Sequence, residues 1–369
     1  MSRISEVTEP HMPPLDDYVR LLEGIWERRH LTNGGPLMVE FEGLLKKASG
    51  SDRPLHCVAN GGLALQLTIK AMGLGGEVVT TPYSYVATTS CPLWEGLTPV
   101  FADIDASTLN IDPAAVEAAI TPQTEAVLAT HVFGNPCDVA ALEAICERHG
   151  LALIYDAAHA FGVRHAGRSI LDYGDASIVS LHATKVIHSV EGGFVTTRDP
   201  AAAGRIEWMR RFGHNGQEAY HGVGINAKMS ELHAAMGICL LRQADAVFES
   251  RKALIARYLK GLPEIDGARF AFDLAADTEW NHCYFPVRFE TEEQLLAAMT
   301  RLDAAGFGTR RYFHPSLDQC GLEGSAEASC PVARDVAARI LCLPLSTRLE
   351  LEHVDRILDA VHPPRSAHA

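Results

Sequence analysis

Between about residue 53 and residue 200, short apolar runs alternate with stretches whose apolar positions recur at helical spacing. The runs predict strands at Leu55–Ala59, Glu77–Thr80, Pro99–Ala102, Ala126–Thr130, Leu151–Tyr155, Ala176–Ser180 and Gly193–Thr197. Between the fourth and fifth, Asp138 reads as a helix N-cap. Val139, Leu142 and Ile145 line one helical face there, and Gly150 supplies the stop. This alternation predicts an α/β protein with a mostly parallel sheet flanked by helices. Met229, Leu232, Met236 and Leu240 then predict one long helix over about 228–260. A strand at Tyr284–Phe289 and a helix at Glu292–Ala305 predict a smaller C-terminal α+β domain. The expected division is 14–245 and 246–369, with the tail Pro363–Ala369 frayed.

Three places in the pattern carry chemistry. Asp156 directly follows the run Leu151–Tyr155, at the carboxyl end of a predicted strand, the edge where open α/β sheets bind ligands. An Asp there also serves as an ordinary helix cap, so it decides nothing alone. Lys185, 29 residues further on, again lies just past an apolar run. An ammonium at such a place is costly unless paired or neutralised. Glu191-Gly192-Gly193 follows, with glycines that permit a ligand to approach the backbone. The third place is Asn60-Gly61-Gly62, between a strand and a helix expected to begin near Leu63. There, free N–H groups and a helix dipole suit a phosphate. A carboxylate, a lysine and a phosphate turn are together what pyridoxal 5′-phosphate (PLP) requires.

Composition narrows the rest. Lys+Arg of 32 against Asp+Glu of 46 gives a net charge of −14, which disfavours nucleic acid and anionic membranes as partners. Nine scattered cysteines, the nearest pair being Cys137 and Cys146, offer no CxxC motif and read as free thiols of a reducing compartment. No apolar run is long enough to span a membrane, and the first residues lack a secretory h-region, so the expectation is a cytoplasmic protein without a metal site.

The motifs Asp156-Ala157-Ala158-His159-Ala160 and Ser180-x-His182-x-x-Lys185, followed by Glu191-Gly192-Gly193, resemble the DegT/StrS family of sugar aminotransferases, fold type I PLP enzymes. The resemblance runs from Leu31-Thr32-Asn33-Gly34 to Tyr312-Phe313-His314-Pro315. It implies that Lys185 attaches the cofactor, Asp156 pairs with its ring nitrogen and His159 lies near its phenolic oxygen. It further implies that Ser180, with Gly61 and Gly62, binds the phosphate and that Tyr85 stacks on the ring. Asn226 would reach the phosphate of a neighbouring subunit, which implies a homodimer with shared active sites. Lys228, Arg310, Arg311 and His314 are candidate substrate contacts. Family members carry Gly-Thr where this chain has Gly61-Gly62, so one hydroxyl is absent.

The segments around Leu31 and Lys185 resemble enzymes that aminate C4 of dTDP-4-keto-6-deoxyglucose with L-glutamate as donor. Amination at C3, UDP or GDP sugars and a non-catalytic regulator remain open. PLP-dependent sugar dehydratases carry His where Lys185 stands, which argues against that activity. His131, His188 and His214 read as structural or solvated.

Overall fold

The computed structural model describes residues 4–326 and 328–362. Its central sheet contains β1 (Leu55–Val58), β2 (Glu77–Thr80), β3 (Thr98–Phe101), β4 (Thr124–Thr130), β5 (Ala152–Asp156), β6 (Ala176–Ser180) and β7 (Gly193–Thr197). These are the seven expected strands, with ends moved by a few residues. Their spatial order is β1-β7-β6-β5-β4-β2-β3. All pairs are parallel except those made by β7, which runs antiparallel to β6 and β1. The middle strands are buried on both faces, which is why they read as continuous apolar runs rather than as alternation.

Helices cover both faces of the sheet: α1 (Leu15–Arg28), α2 (Pro36–Ser49), α3 (Gly61–Met72), α4 (Ala87–Trp94), α5 (Pro113–Ala119), α6 (Val139–His149) and α7 (Pro200–Met209). Helix α6 starts as its sequence predicts. The Asp138 carboxylate accepts from the Ala141 N–H at 3.0 Å, and Gly150 ends the helix at φ +68°.

The expected long helix is two helices, α8 (Glu231–Leu241) and α9 (Ala244–Gly261), parted at Gln243, whose φ/ψ is −112°/5°. Each half has a different partner. Ala234 to Leu240 of α8 are buried within the large unit, where α8 packs on α2. Leu254, Ile255 and Tyr258 of α9 join a second core with α12 (Leu351–Val361). One straight helix could not serve both.

That second core also contains α10 (Glu292–Ala304). Helix α11 (Pro331–Arg339) packs beside it, and the sheet is antiparallel: β8 (Ala268–Phe270), β9 (Phe285–Phe289) and β10 (Ile340–Leu343). We propose that this unit begins near residue 246, where α9 changes partner. The amino-terminal residues were not expected to join it, yet Ser5 bridges Phe307 and the Val7 carbonyl accepts from the Leu345 N–H. No helix among the described residues is long and apolar enough to cross a membrane.

Candidate active site

At the carboxyl ends of the parallel strands, a cavity of about 360 Å³ opens between the two units. It is lined by Gly61, Gly62, Tyr85, Asp156, His159, Ser180, Lys185 and Arg310. Eight of the residues singled out in the sequence thus meet in one place.

Asp156 ends β5, where it stands in register with Thr130 of β4. It is buried, and its carboxylate accepts from the Ala158 N–H at 2.9 Å, closing a turn rather than capping a helix. Burial pushes its pKa up, against the pull of that N–H and of the Lys185 charge. Lys185 lies half-buried in the turn after β6, which is closed by Ala183 N–H to Val190 carbonyl and Lys185 N–H to His182 carbonyl bonds, both 2.8 Å. Its amine makes no hydrogen bond among the described residues. Burial pushes its pKa down; Asp156 opposes this and Arg310 adds to it. Each group is therefore moved towards its neutral form.

His159 is also held neutral, mainly by burial. Its Nδ1 accepts from the Phe133 N–H at 3.3 Å, which places the proton on Nε2. Phe133 takes a left-handed φ of +54° to present that N–H. The His159 ring lies nearly parallel to Phe133 and Phe313, at 7° and 8°.

The glycine turn is a cradle built by close approach. Helix α3 starts at Gly61, and Asn60 caps it by accepting from the Leu63 N–H at 2.8 Å. The first N–H groups of such a helix have no intrahelical acceptor and remain free for an anion. A Cβ on Gly61 would come within 3.1 Å of the Ser180 side chain. A Cβ on Gly193 would meet the backbone of Asn60 and Gly61 at 2.8 Å. The Gly192-Gly193 pair was expected to admit a ligand; in the structure Gly193 admits the backbone of Asn60 and Gly61.

Several lining residues were given no role from the sequence. Ser84 and Thr130 share a 3.1 Å hydroxyl pair, His182 bonds Thr184 at 2.8 Å, and Tyr284, Tyr312 and Phe313 come from the smaller unit. A Ser or Tyr at the end of an element has no distinguishing spacing, so only tertiary placement reveals it. Other candidates lie outside the cavity. The Lys228 amine bonds the Asn226 side chain at 2.5 Å and sits over Phe212, away from Lys185. Arg311 turns to Glu292 at 2.6 Å and to the Ala338 carbonyl at 2.9 Å, with His314 beside it at 3.3 Å. Arg310 alone of that pair faces the cavity, its guanidinium 4.8 Å above the Tyr312 ring. Among the described residues no cluster of His, Cys, Asp or Glu could hold a metal ion.

A lysine and a carboxylate thus line one cavity at the carboxyl edge of this sheet. Residues 16–362 match the DegT/DnrJ/EryC1/StrS aminotransferase family, and the chain belongs to it. It is an aminotransferase. A dTDP-4-amino-4,6-dideoxy-D-glucose transaminase of Shigella dysenteriae is 36% identical over 359 residues, covering 96% of this chain and 97% of the relative. A dTDP-3-amino-3,4,6-trideoxy-alpha-D-glucose transaminase of Streptomyces venezuelae is 33% identical, covering 89% of this chain and 86% of the relative. The solved structure of DesI in the presence of its TDP-sugar product superposes with a TM-score of 0.92 at 35% identity, covering 98% of this chain and 93% of that one.

Proposed function

We propose that the protein transfers the amino group of L-glutamate to C4 of a nucleotide-linked keto-sugar, dTDP-4-keto-6-deoxy-D-glucose. The product would be dTDP-4-amino-4,6-dideoxy-D-glucose, and the cofactor PLP. The observation that carries this reading is the convergence of Asp156 and Lys185 in one cavity, each driven by burial towards its neutral form. The residues fit the cofactor. A protonated ring nitrogen would offset the buried carboxylate, and a covalent bond to an aldehyde would lower the basicity of the lysine nitrogen. The free N–H groups at the start of α3, beside Ser180, support phosphate binding there. When bound, PLP supplies an aldehyde to carry the amino group and a ring to accept the electron pair left at the donor's α-carbon.

The remaining steps belong to the chain. The N–H groups of Gly61 and Gly62 and the Ser180 hydroxyl bind the phosphate. Asp156 holds a proton at the ring nitrogen, a charge-assisted contact of about 1.5–3 kcal/mol. His159 offers its Nε2–H to the phenolic oxygen, and Tyr85 covers the ring face. The Lys185 amine would take the proton from the α-carbon of glutamate. It later gives one to the sugar carbon that receives the amine. Arg310 binds the diphosphate of the sugar nucleotide.

Asn226 and Lys228 enter this scheme through a second copy of the chain. Their segment carries Phe212, Tyr220, Val223 and Ile225, all exposed and apolar, which supports a homodimer with shared sites. Amination at C3 is a second reading, favoured by the Streptomyces venezuelae relative.

The test is an absorbance titration. Added PLP should give the visible band of a lysine-linked cofactor, L-glutamate should bleach it, and dTDP-4-keto-6-deoxyglucose should restore it. A bleached band restored only by a 3-keto-sugar, or only by a UDP or GDP sugar, replaces the acceptor and leaves the reaction class. Failure to form the band at all removes the cofactor assignment.

A further inference from the structure

A second cavity, of about 250 Å³, lies in the smaller unit and is lined by Arg269, Arg288, Glu290 and Arg339. Arg269 of β8 and Arg288 of β9 are direct partners in an antiparallel register. Like charges directly opposite on one sheet face repel, so such a pair needs a counter-charge. Asp335 is the carboxylate that answers it. It accepts from Arg288 Nη2 at 3.2 Å and from Arg339 Nε at 2.9 Å, so two guanidiniums already share it. Arg288 is buried, gives Nη1 to the Ala106 carbonyl at 2.9 Å, and keeps its Nε without a partner among the described residues. The exposed Arg269 side chain has no hydrogen bond or ion pair among the described residues. With the solvent-exposed Glu290 included, three guanidiniums face two carboxylates, a local positive excess in a chain of net charge −14.

We propose that this cavity is a binding site for a phosphate-bearing anion, separate from the active site. Guanidiniums are suited to it because their planar forks bond phosphate oxygens in pairs. Strand β9 keeps the sites apart: Tyr284, just before it, lines the active-site cavity, and Arg288 lies four residues on, roughly 13 Å at strand rise. The inference is independent of the substrate assigned above. Free phosphate and the diphosphate of a nucleotide share this chemistry.

The experiment uses the PLP-loaded enzyme in a low-salt buffer without phosphate or sulfate, read by thermal unfolding and by titration calorimetry. The probes are inorganic phosphate, dTDP and thymidine. Inorganic phosphate should raise the unfolding midpoint. Arg269→Gln, an exposed change that spares the bonds of Arg288, should raise the midpoint of the ligand-free protein by relieving repulsion, and should weaken phosphate binding about tenfold. Glu290→Gln should tighten it. Binding of dTDP that is lost in Arg269→Gln but kept in Arg310→Gln, and that exceeds phosphate while thymidine stays silent, identifies a nucleotide. Equal response to phosphate identifies the free anion. Phosphate or dTDP responses that are the same in Arg269→Gln as in the unaltered protein overturn the proposal.

Discussion

Buried charge occurs in this molecule in two opposite conditions. At the junction of the units, Arg251 is buried with every nitrogen used. Nε donates to the His282 carbonyl at 2.9 Å, Nη1 to that of Leu345 at 3.1 Å, and Nη2 to that of Cys283. Arg53, half-buried, gives Nη1 and Nη2 to four carbonyls, those of Leu171, Asp172, Tyr173 and Gly174. The Lys185 amine, by contrast, donates to nothing among the described residues, and the Asp156 carboxylate accepts one backbone N–H. The arginines are braces, their desolvation offset by carbonyls that would otherwise be unpaired. The lysine and aspartate are left with bonding capacity at the wall of the cavity. Buried charge marks function where its bonding is incomplete and structure where it is complete.

Substitution separates the two conditions. The largest effect is expected at Lys185→Ala, which should abolish the visible PLP band and lower transamination about ten-thousandfold or more. The same change should raise the unfolding midpoint of the PLP-free protein at neutral pH. The folded-state pKa of Lys185 is lowered, so its charged form costs stability there. Asp156→Asn follows, with turnover reduced about 10²–10³-fold. The sign again runs against stability loss: burial raises the Asp156 pKa, so its contribution is favourable only at low pH and is lost as pH rises through the folded value. PLP-free Asp156→Asn should therefore be at least as stable as the parent at pH 7. A clear fall in the midpoint of either PLP-free variant would show these groups to be braces as well.

The arginine gives the reverse pattern. Arg251→Met strands three buried carbonyls and should cost about 3 kcal/mol, seen as a lower denaturant midpoint with an unchanged slope. Transamination by the molecules that remain folded should persist. A stable Arg251→Met protein without activity would put Arg251 on the functional side and undo the comparison.

The same distinction explains what could be read in advance. The seven sheet strands were legible because burial on both faces writes a continuous apolar run into the chain, and Asp156 and Lys185 were legible because each interrupts such a run at its end. The order β1-β7-β6-β5-β4-β2-β3 and the reversal of β7 were not, since pairing partners leave no local pattern. Gly193 was noticed for the wrong neighbour; its need is set by Asn60 and Gly61, more than 130 residues earlier in the chain. Arg251 gave no signal at all. Inside the helical pattern of α9 it reads as a solvated side chain, and its acceptors come from residues 282, 283 and 345. Tyr284, just before β9, and Arg310, bridged to Cys342 of β10, reach the cavity for a similar reason, carried there by the other unit. Arg311, adjacent in sequence and equal in chemistry, points to Glu292 instead. A residue's type is local, but the completeness of its bonding is a property of the tertiary structure.

His131 tests the comparison from a third side, with the smallest expected effect. Its ring is buried, stacks on Tyr155 at 4.4 Å, and accepts from the Cys137 N–H at 3.1 Å through Nδ1, while Nε2 has no partner among the described residues. Unlike Lys185 it lies outside the cavity, so its unmet nitrogen is answered by staying neutral: burial lowers its pKa to about 3. An unfolded histidine takes up a proton near its ordinary value of about 6.5. Between those limits the unfolded chain binds a proton that the folded chain refuses. The stability due to the neutral ring is therefore full above about pH 6.5 and lost as pH falls towards 3, at no more than about 1.4 kcal/mol per pH unit. His131→Phe keeps a flat ring against Tyr155 and lacks the titration, at a constant cost from the unpaired Cys137 N–H. Unfolding free energies of both proteins at several pH values between 7 and 4 should show the unaltered protein ahead at pH 7. Its lead should shrink steadily as the solution is acidified, with carboxylate contributions common to both cancelling in the difference. A difference that stays constant over that range would mean that the ring accepts its proton in place, through a route for water or a partner that the packing around Tyr155 does not provide.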